Sequence, residues 1–349
     1  MLINRLKQIL DFPLLGWSFL FRNNLRRSVV LCYHSLLAPN ETSRPTGFVD
    51  KRGCVDVRSF EAQLCWLSGF CDFVSLEEVL NPRTKDRGNR WKVSVTFDDG
   101  YKSIIDLGLP LFEKYMVPVT WFITSKFAEE PKSLPWWDLL AFIAASWKGM
   151  LEFRISGKPF SYDLAKPKER SVFLDDMELL FKNATPTLRH EMQSTLEENV
   201  SSKLRLPYNA MARKEEIRHA SQSPWISIGG HTHSHPTMAR CSQKELDYEI
   251  SRNRTELMKW TGQKIEWFSY PFGKWKHLNS SAIKSVRRAG YRGAVTAEMG
   301  YVDSGTGPYQ VPRLPVARKW DRHRFRARVP CINVVRMAGI FSKRNRFLN

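Results

Sequence analysis

The sequence has few acidic residues, no cysteine spacing typical of a metal site or a disulfide framework, and no apolar run long enough to span a bilayer. Its 54 Lys and Arg residues outnumber 35 Asp and Glu residues, and the net charge is +19. The six cysteines form no Cys-x-x-Cys pair and no zinc-finger spacing, which excludes a zinc ribbon and disfavours a disulfide framework. Internal repeats, heptad arrays and low-complexity tracts are also absent, which excludes a solenoid or a coiled coil.

What is present is a globular composition with an excess of positive charge. A chain of 349 residues with 42% hydrophobic content can bury the core of one large α/β domain or two small ones. The charge favours anionic surroundings such as nucleic acid, anionic lipid or acidic glycan, and a basic solvated surface is the alternative. Because the basic residues are spread along the chain and no nucleic-acid-binding motif is present, we expect no nucleic acid partner.

The N-terminal segment, residues 1–27, contains a mostly apolar run at residues 9–21 with basic residues on both sides. The run is shorter than the ~20 residues that cross a bilayer, and it lacks the small-residue cleavage site of a signal peptide. It fits a helix on an anionic membrane surface as well as a helix packed on the domain. We therefore expect a cytoplasmic protein, either free or peripheral at the inner membrane face.

Short apolar segments alternate with helical patterns along most of the chain, which predicts an α/β fold with a parallel sheet covered by helices. The predicted strands are residues 28–34, 73–76, 93–97, 117–124, 225–228, 265–270 and 293–296. A charged stretch at about 134–223, mostly helical in pattern, interrupts the alternation, and we interpret it as an insertion. The main domain then covers residues 28–330, and residues 331–349 form a basic tail.

Two adjacent carboxylates, Asp98 and Asp99, follow the predicted strand 93–97 within the motif TFDDG. In parallel α/β folds, ligands and substrates bind at the carboxyl ends of the strands. Adjacent side chains at such an end diverge, so one carboxylate can bind a metal while the other faces the substrate. A helix N-cap is the alternative role for an Asp in this position.

The motif GHTHSH follows another predicted strand and places His231 and His235 four residues apart. Two imidazoles at this spacing can converge on one ion if the segment turns helically. With one carboxylate they form a three-ligand set for a divalent ion that leaves a position open for water. The other carboxylate is then free to act as a base. His233 points away in either geometry and is not counted as a ligand.

Three further segments carry candidate groups. The turn YPFG at residues 270–273 could form a groove wall and present a backbone N–H to a developing oxyanion, with a plain turn as the alternative. His34 ends the first predicted strand and could act as a general acid, unless it is simply a buried histidine. Arg313 lies in the segment PRLP and could pair with a carboxylate.

Taken in order, TFDDG, HTHSH and YPFG resemble the motifs of the polysaccharide deacetylase family, also called the NodB-homology domain or carbohydrate esterase family 4. The resemblance covers residues 29–318, with 134–223 as an enlarged insertion, and the YH and YPFG segments are similar to one branch of the family. It implies a distorted, incomplete (β/α) barrel, a divalent metal that is usually Zn²⁺, and an acetylated glycan as substrate.

The resemblance also implies a role for each motif residue. Asp99, His231 and His235 would bind the metal, and Asp98 would be the general base. The backbone N–H of Phe272 would help to hold the oxyanion.

The sequence departs from the family pattern in two places. Ser269 stands where many members carry an Arg that orients the catalytic Asp, and Arg313 is the candidate replacement. No C-terminal Leu-x-His motif is present, which leaves His34 as the candidate general acid, the role that this histidine has in the YH branch.

Candidate substrate-binding residues are aromatic or belong to the YPFG turn. A Trp among them could stack on a sugar ring, although a core position is the commoner role for Trp in a large α/β domain. The candidates are Tyr101, Trp136, Trp137, Tyr270, Pro271, Gly273 and Trp275.

The expected activity is metal-dependent removal of an N-acetyl group from an amino sugar in a polysaccharide, an oligosaccharide or a lipid-linked glycan. One alternative keeps the site but changes the substrate to a small cyclic amide or ureide. Another alternative is a non-catalytic glycan- or membrane-binding protein on the same scaffold. The presence of every expected ligand residue disfavours this last alternative.

Overall fold

The structure is a computed structural model that describes residues 28–38, 53–80, 90–130, 132–316, 325–326 and 329. The apolar run at residues 9–21, the rest of the segment 1–27, and the tail 331–349 lie outside the described residues. In the described ranges, no helix is both long enough and apolar enough to cross a membrane.

The strands belong to one large sheet and two small ones. In chain order they are β1 Ser28–Tyr33, β2 Ser35–Leu37, β3 Cys54–Asp56, β4 Cys71–Phe73, β5 Trp91–Phe97, β6 Val119–Ile123, β7 Met150–Ile155, β8 Lys158–Asp163, β9 Ile226–Gly230, β10 Trp267–Ser269, β11 Gly293–Val295 and β12 Leu314–Pro315.

The large sheet has the order β11-β10-β9-β6-β5-β1-β12, and β4 pairs with the first residues of β5. Every pairing in it is parallel. The sheet curls into a half-barrel with accompanying helices, which confirms the distorted, incomplete (β/α) barrel expected from the sequence. A single parallel bridge between Val295 and Val311 links the β11 edge to the segment that leads into β12.

The helices lie between the strands. They are α1 Val57–Ser68, α2 Leu76–Leu80, α3 Leu109–Tyr115, α4 Ser125–Glu129, α5 Trp136–Ser146, α6 Pro167–Asn183, α7 Pro186–Ser201, α8 Lys214–Ala220, α9 Gln243–Thr261 and α10 Ser280–Arg288. A π-helical turn, Ile104–Gly108, precedes α3.

Local sequence explains where these elements begin and end. The strand β6 is apolar and buried throughout, as expected for a strand covered on both faces. A capping box of Ser242 and Glu245 starts α9, and Gly262 ends it in the left-handed conformation with φ +71°. The predicted strand 73–76 is wrong after Phe73: the strand is Cys71–Phe73, and Ser75 and Glu78 form a reciprocal cap that starts α2 at Leu76.

The insertion at about 134–223 contains α5 to α8, but it also contains the antiparallel hairpin β7–β8, which the sequence analysis did not predict. In β7 the apolar residues Leu151, Phe153 and Ile155 alternate with polar ones, and this alternation is the sequence signal that could have revealed the hairpin. These side chains belong to a hydrophobic cluster formed by the insertion itself, and Phe272 of the YPFG turn packs against that cluster. The insertion therefore reaches the carboxyl edge of the large sheet.

Candidate active site

Three strands deliver polar residues to one edge of the sheet. Asp98 and Asp99 follow β5, His231 follows β9, and His34 follows β1. The amide of Asp98 donates a hydrogen bond of 2.9 Å to the carbonyl of Tyr33, so the ladder between β1 and β5 continues to the first residue of the site. Parallel strands thus bring residues distant in sequence together at their carboxyl ends.

Asp99, His231 and His235 meet there as a buried trio. The Oδ1 atom of Asp99 lies 3.3 Å from Nε2 of His231 and 3.5 Å from Nε2 of His235. One ligand atom from each residue lies within 4.8 Å of the other two. One carboxylate oxygen and two imidazole nitrogens therefore face a common point.

The loop that carries the two histidines is not helical. The two rings therefore converge without the helical turn that their spacing would require. Thr232 and His235 adopt left-handed conformations, with φ values of +65° and +58°. The amide of His235 donates a hydrogen bond of 3.0 Å to Oγ1 of Thr232, which closes the turn. Asp99 is also left-handed, with φ +75°. Such conformations are uncommon for non-glycine residues and cluster at functional sites.

The donor set fits a divalent cation such as Zn²⁺. Nδ1 of His231 lies 2.7 Å from the carbonyl of Ser269, which directs the Nε2 lone pair toward Asp99. Burial, together with the His231 ring, lowers the pKa of His235 to about 3, so its imidazole is neutral and can donate a lone pair. A carboxylate and two histidines are a common three-residue ligand set for catalytic zinc. Nδ1 of His235 has no hydrogen-bond partner among the described residues.

Asp98 is held in place by Arg313, which comes from the segment before β12. The guanidinium forms two hydrogen bonds to the carboxylate, of 2.8 Å to Oδ1 and 2.6 Å to Oδ2. Ser269 donates a third of 3.1 Å, and Arg313 also donates to the Ser269 hydroxyl at 3.0 Å. Burial opposes the ionisation of Asp98, but the charge and hydrogen bonds of Arg313, together with the nearby His231 and His34 rings, outweigh it and hold the pKa of that carboxyl well below its usual range. Arg313 therefore lies where an orienting arginine is needed, beside the serine that occupies the family position.

A cavity of about 620 Å³ opens beside the trio. Its lining includes His34, Tyr101, Trp136, Trp137 and Phe272, along with Asp98, Asp99, His231, His235 and Arg313. Nitrogen of His34, sulfur of Cys32 and a carboxylate oxygen of Asp98 lie within 4.8 Å of one another, so His34 borders the same space.

The aromatic residues of this lining contact one another and the trio. The indole N–H of Trp137 donates a hydrogen bond of 2.7 Å to the Tyr101 hydroxyl, which donates in turn to Asp138 at 3.1 Å. The Trp137 ring lies edge-on to the His235 ring, with centroids 4.7 Å apart. Trp136 stacks on Phe181 of the insertion at 5.0 Å.

The other candidate substrate residues lie outside the cavity lining. Tyr270 is buried in the core and its hydroxyl donates to the carbonyl of Tyr309 at 3.1 Å. Gly273 has φ +59° and accepts a backbone hydrogen bond from Ala297, so it shapes the turn. Trp275 is exposed, and Pro271 is a buried turn residue.

Sequence reasoning missed several residues that surround the site. Three of them, Arg189, Lys182 and Glu178, come from the insertion, whose sequence contains no motif that points to the trio. The others, Lys274, Lys276 and His277, directly follow the YPFG turn in the segment KWKH, and this charged run was a usable signal.

Arg189, on α7, is buried and holds the loop that carries the histidines. Its guanidinium donates hydrogen bonds to the carbonyl of His235, to the carbonyl of Ser234 at 3.1 Å and to the Ser234 hydroxyl at 3.0 Å. Glu249 holds the other side of Ser234, accepting from its amide at 2.7 Å and from its hydroxyl at 2.6 Å. His233 lies away from the trio, with Nδ1 3.0 Å from the Ser125 hydroxyl.

Comparison with known proteins places this geometry in a family. A family model described as polysaccharide deacetylase matches residues 85–150 and 180–294, just over half of the chain. No curated protein matches the chain.

Solved structures share its fold at low sequence identity. A Streptococcus pyogenes deacetylase, PplD, in complex with acetate is 16% identical, covers 85% of this chain and 96% of its own, and has a TM-score of 0.53. A de-N-acetylase from Aggregatibacter actinomycetemcomitans is 14% identical over 85% of this chain and 98% of its own, with a TM-score of 0.55. IcaB from Ammonifex degensii is 19% identical over 83% of this chain and 92% of its own, with a TM-score of 0.51.

The family match and the shared fold agree with the motifs TFDDG, HTHSH and YPFG at the sheet edge. The chain therefore belongs to the polysaccharide deacetylase family and is a hydrolase of the N-deacetylase type.

Proposed function

We propose that this protein removes the acetyl group from an N-acetylated amino sugar of a glycan, with a divalent metal, Zn²⁺, held by Asp99, His231 and His235. The observation that carries the proposal is the placement of this trio beside a carboxylate, Asp98, which is fixed by two hydrogen bonds from Arg313. A bound ion would supply Lewis acidity and lower the pKa of a water molecule from 15.7 toward about 7.

Asp98 is the proposed general base. Arg313 keeps the carboxylate ionised and fixes its orientation, so it is available to accept a proton from the water that attacks the acetamide carbonyl.

The backbone N–H of Phe272 is the proposed donor to the oxyanion of the tetrahedral intermediate. Phe272 has φ +60°, and among the described residues its amide donates no other hydrogen bond. One oriented donor of this kind is worth roughly 3–4 kcal/mol in comparable sites.

His34 is the proposed general acid that protonates the departing amine, which yields acetate and a free amino sugar. It borders the cavity within reach of Asp98. A second histidine of the cavity, His277, is less suited to storing this proton, because burial and the nearby ammonium groups lower its pKa to about 4.

Tyr101, Trp136 and Trp137 are the proposed substrate-contacting residues, since they line the cavity next to the trio. The apolar run at residues 9–21, with basic residues on both sides, supports a lipid-linked glycan at the inner, anionic membrane face as one form of the substrate. Sedimentation of the full chain with anionic vesicles but not with neutral ones tests this location. Equal sedimentation with both vesicle types, or with neither, would contradict it.

The base assignment is tested with Asp98→Asn. This variant should keep stoichiometric Zn²⁺ by elemental analysis, because Asp98 is not a ligand, and should lose at least about two orders of magnitude in acetate release. Asp99→Asn is the matched variant, and it should lose the metal together with the activity. Full activity of Asp98→Asn would exclude the base assignment.

The substrate class is tested by comparing acetate release from N-acetylated sugars with ring opening of cyclic amides and ureides. Acetate release alone supports the deacetylase. Ring opening without acetate release would replace the substrate, and purified protein with neither metal nor activity would indicate a non-catalytic relative.

A further inference from the structure

We propose that one side of the catalytic cavity, defined by Lys182, Lys274, Lys276 and His277 and here called the lysine wall, binds an anionic group of the glycan substrate. The group is a carboxylate or a phosphate, carried near the acetamide that is hydrolysed. This inference rests on the proposed deacetylase function and specifies its substrate.

The lysine wall is built from two separate parts of the chain. Lys182 comes from the last turn of α6 in the insertion, whereas Lys274, Lys276 and His277 follow the YPFG turn, and all four line the cavity that contains the trio. Phe272 connects them to the metal ligands. Its ring centroid lies 5.6 Å from the Lys182 ammonium and 5.1 Å from the His277 ring.

The same Phe272 ring lies 4.8 Å from the ring of His235, centroid to centroid. The lysine wall is therefore separated from the metal-binding trio by the width of one aromatic side chain. A substituent on the reacting sugar, or on its neighbour in a glycan, could reach the wall while the acetamide lies at the trio.

The charges that line the cavity leave a positive excess at this wall. Asp98 is neutralised by Arg313, and Glu178 forms an ion pair with Lys182. Lys274 lies 3.7 Å from a carboxylate oxygen of Glu298.

Lys276 is exposed and forms no ion pair with any described residue. A cation bound by the trio would add two further positive charges against the single charge of Asp99. An anion entering this side of the cavity therefore finds more positive than negative charge.

His277 provides an independent indication of a ligand. Its side chain is 9% exposed, it lines the cavity, and its Nδ1 has no hydrogen-bond partner among the described residues. Buried polar atoms are normally satisfied, so an unpaired ring nitrogen in a cavity wall suits a group that arrives with the substrate. Burial and the charges of Lys276, Lys182 and Lys274 lower the pKa of this histidine to about 4, which shows that the three ammonium groups act on the same place.

A neutral acetylated glycan would cover Lys276 and His277 without pairing them. Desolvating an ammonium or an imidazole N–H without a partner costs free energy, whereas a carboxylate or phosphate oxygen restores the lost hydrogen bonds. The lysine wall therefore favours an anionic substrate over a neutral one of the same length.

The experiment uses the full chain loaded with Zn²⁺ and three trisaccharides of N-acetylglucosamine: one neutral, one with a carboxylate on the ring next to the cleaved acetamide, and one with a 1-phosphate. Acetate release gives kcat and KM for each. The wild type should prefer one anionic substrate to the neutral one by at least roughly tenfold in kcat/KM, the equivalent of one ion pair worth about 1.4 kcal/mol.

The test variant is Lys276→Met, since its exposed side chain has no described ion pair to disturb. It should reduce the preference for the anionic substrate about tenfold, mainly through KM, and 1 M salt should do the same by screening. Lys259→Met is the matched control, because Lys259 is exposed on α9 and does not line the cavity. It should keep the wild-type preference.

The outcomes separate the possible failures. An equal or greater kcat/KM for the neutral trisaccharide in the wild type would overturn the lysine wall while leaving the deacetylase function intact. So would an unchanged preference in Lys276→Met. Acetate release from none of the substrates would instead contradict the proposed function. In that case, titration calorimetry with N-acetylglucosamine 1-phosphate and with unphosphorylated N-acetylglucosamine still decides the matter, because equal affinity for both would overturn the lysine wall.

Discussion

Replacing Arg189 should weaken metal binding, although Arg189 contacts only the backbone of the proposed ligand His235 and not its imidazole ring. Its guanidinium holds the carbonyl oxygens of Ser234 and His235 and the hydroxyl of Ser234. The loop it holds contains left-handed residues at Thr232 and His235, which persist only where surrounding contacts impose them. The perturbation we choose is Arg189→Met, which keeps the aliphatic part of the side chain and removes the donors.

The size of the effect can be estimated from these contacts. Hydrogen bonds to a charged group contribute about 1.5–3 kcal/mol each, so three of them would sum to roughly 4.5–9 kcal/mol. Relaxation and entry of water reduce such sums, and we expect the free energy of unfolding to fall by about 3 kcal/mol. The His231 ring is oriented by the Ser269 carbonyl, but Nδ1 of His235 has no described partner. The orientation of His235 therefore depends on its backbone and on the packing of the Trp137 and Phe272 rings. Loss of such support typically lowers metal affinity by roughly 10–100-fold.

The assay is competitive Zn²⁺ titration against a chromophoric chelator, at a temperature where each variant is folded by circular dichroism. Arg189→Lys should recover part of the affinity, because an ammonium can reach one of the carbonyls but not all three acceptors. Arg170→Met is the matched control. Arg170 also bonds backbone carbonyls of the insertion, those of Leu164 and Ala165, but lies away from the trio.

Two results would contradict the proposed support of His235 by Arg189. Wild-type Zn²⁺ affinity in folded Arg189→Met would show that the loop keeps its shape without the guanidinium. An equal loss of affinity in Arg170→Met would show that general destabilisation of the insertion, not support of His235, is responsible.

Arg313, Gly273 and His277 can each be tested by substitution. Arg313→Lys loses the two-pronged contact with Asp98, so kcat/KM should fall by roughly 100-fold while circular dichroism stays unchanged; wild-type kinetics would contradict this. Gly273→Ala places a methyl group 2.3 Å from the Ala297 nitrogen, at a φ of +59°. The midpoint of urea unfolding should fall, corresponding to a loss of ~2 kcal/mol in the free energy of unfolding. An unchanged midpoint would refute the clash. Burial and the lysine charges lower the pKa of His277 from 6.5 to about 4, so the unfolded chain takes up this proton before the folded chain does. The free energy of unfolding should therefore fall as the pH is lowered from 6.5 to 4. His277→Asn should flatten that fall, and a pH profile identical to that of the wild type would count against this role of His277.

The kinds of chemistry at the site could be predicted from the sequence because each motif is local. TFDDG follows an apolar, β-branched run, and HTHSH follows a second strand pattern, so both had to emerge at strand ends. Strand–helix alternation then indicated a parallel sheet, in which all such ends share one edge. These inferences need only neighbouring residues and the handedness of parallel connections.

The conformation of the histidine loop could not be predicted in the same way. Spacing alone allowed the two histidines to converge through a helical turn, whereas the structure brings His231 and His235 together through left-handed residues. Such conformations cost free energy locally, so no local pattern favours them. They are imposed by Arg189 and Glu249, which approach from distant elements.

Local sequence was enough to predict that two carboxylates and two imidazoles lie at the carboxyl ends of strands, because adjacent residues form both the strand pattern and the motif. What holds and surrounds these groups depends on contacts between distant parts of the fold. Arg313 reaches Asp98 across 215 positions because β12 pairs with β1, and the lysine wall forms because the insertion packs against the YPFG turn. Contacts of this range depend on strand order and on how a second hydrophobic cluster docks, and no short segment encodes either.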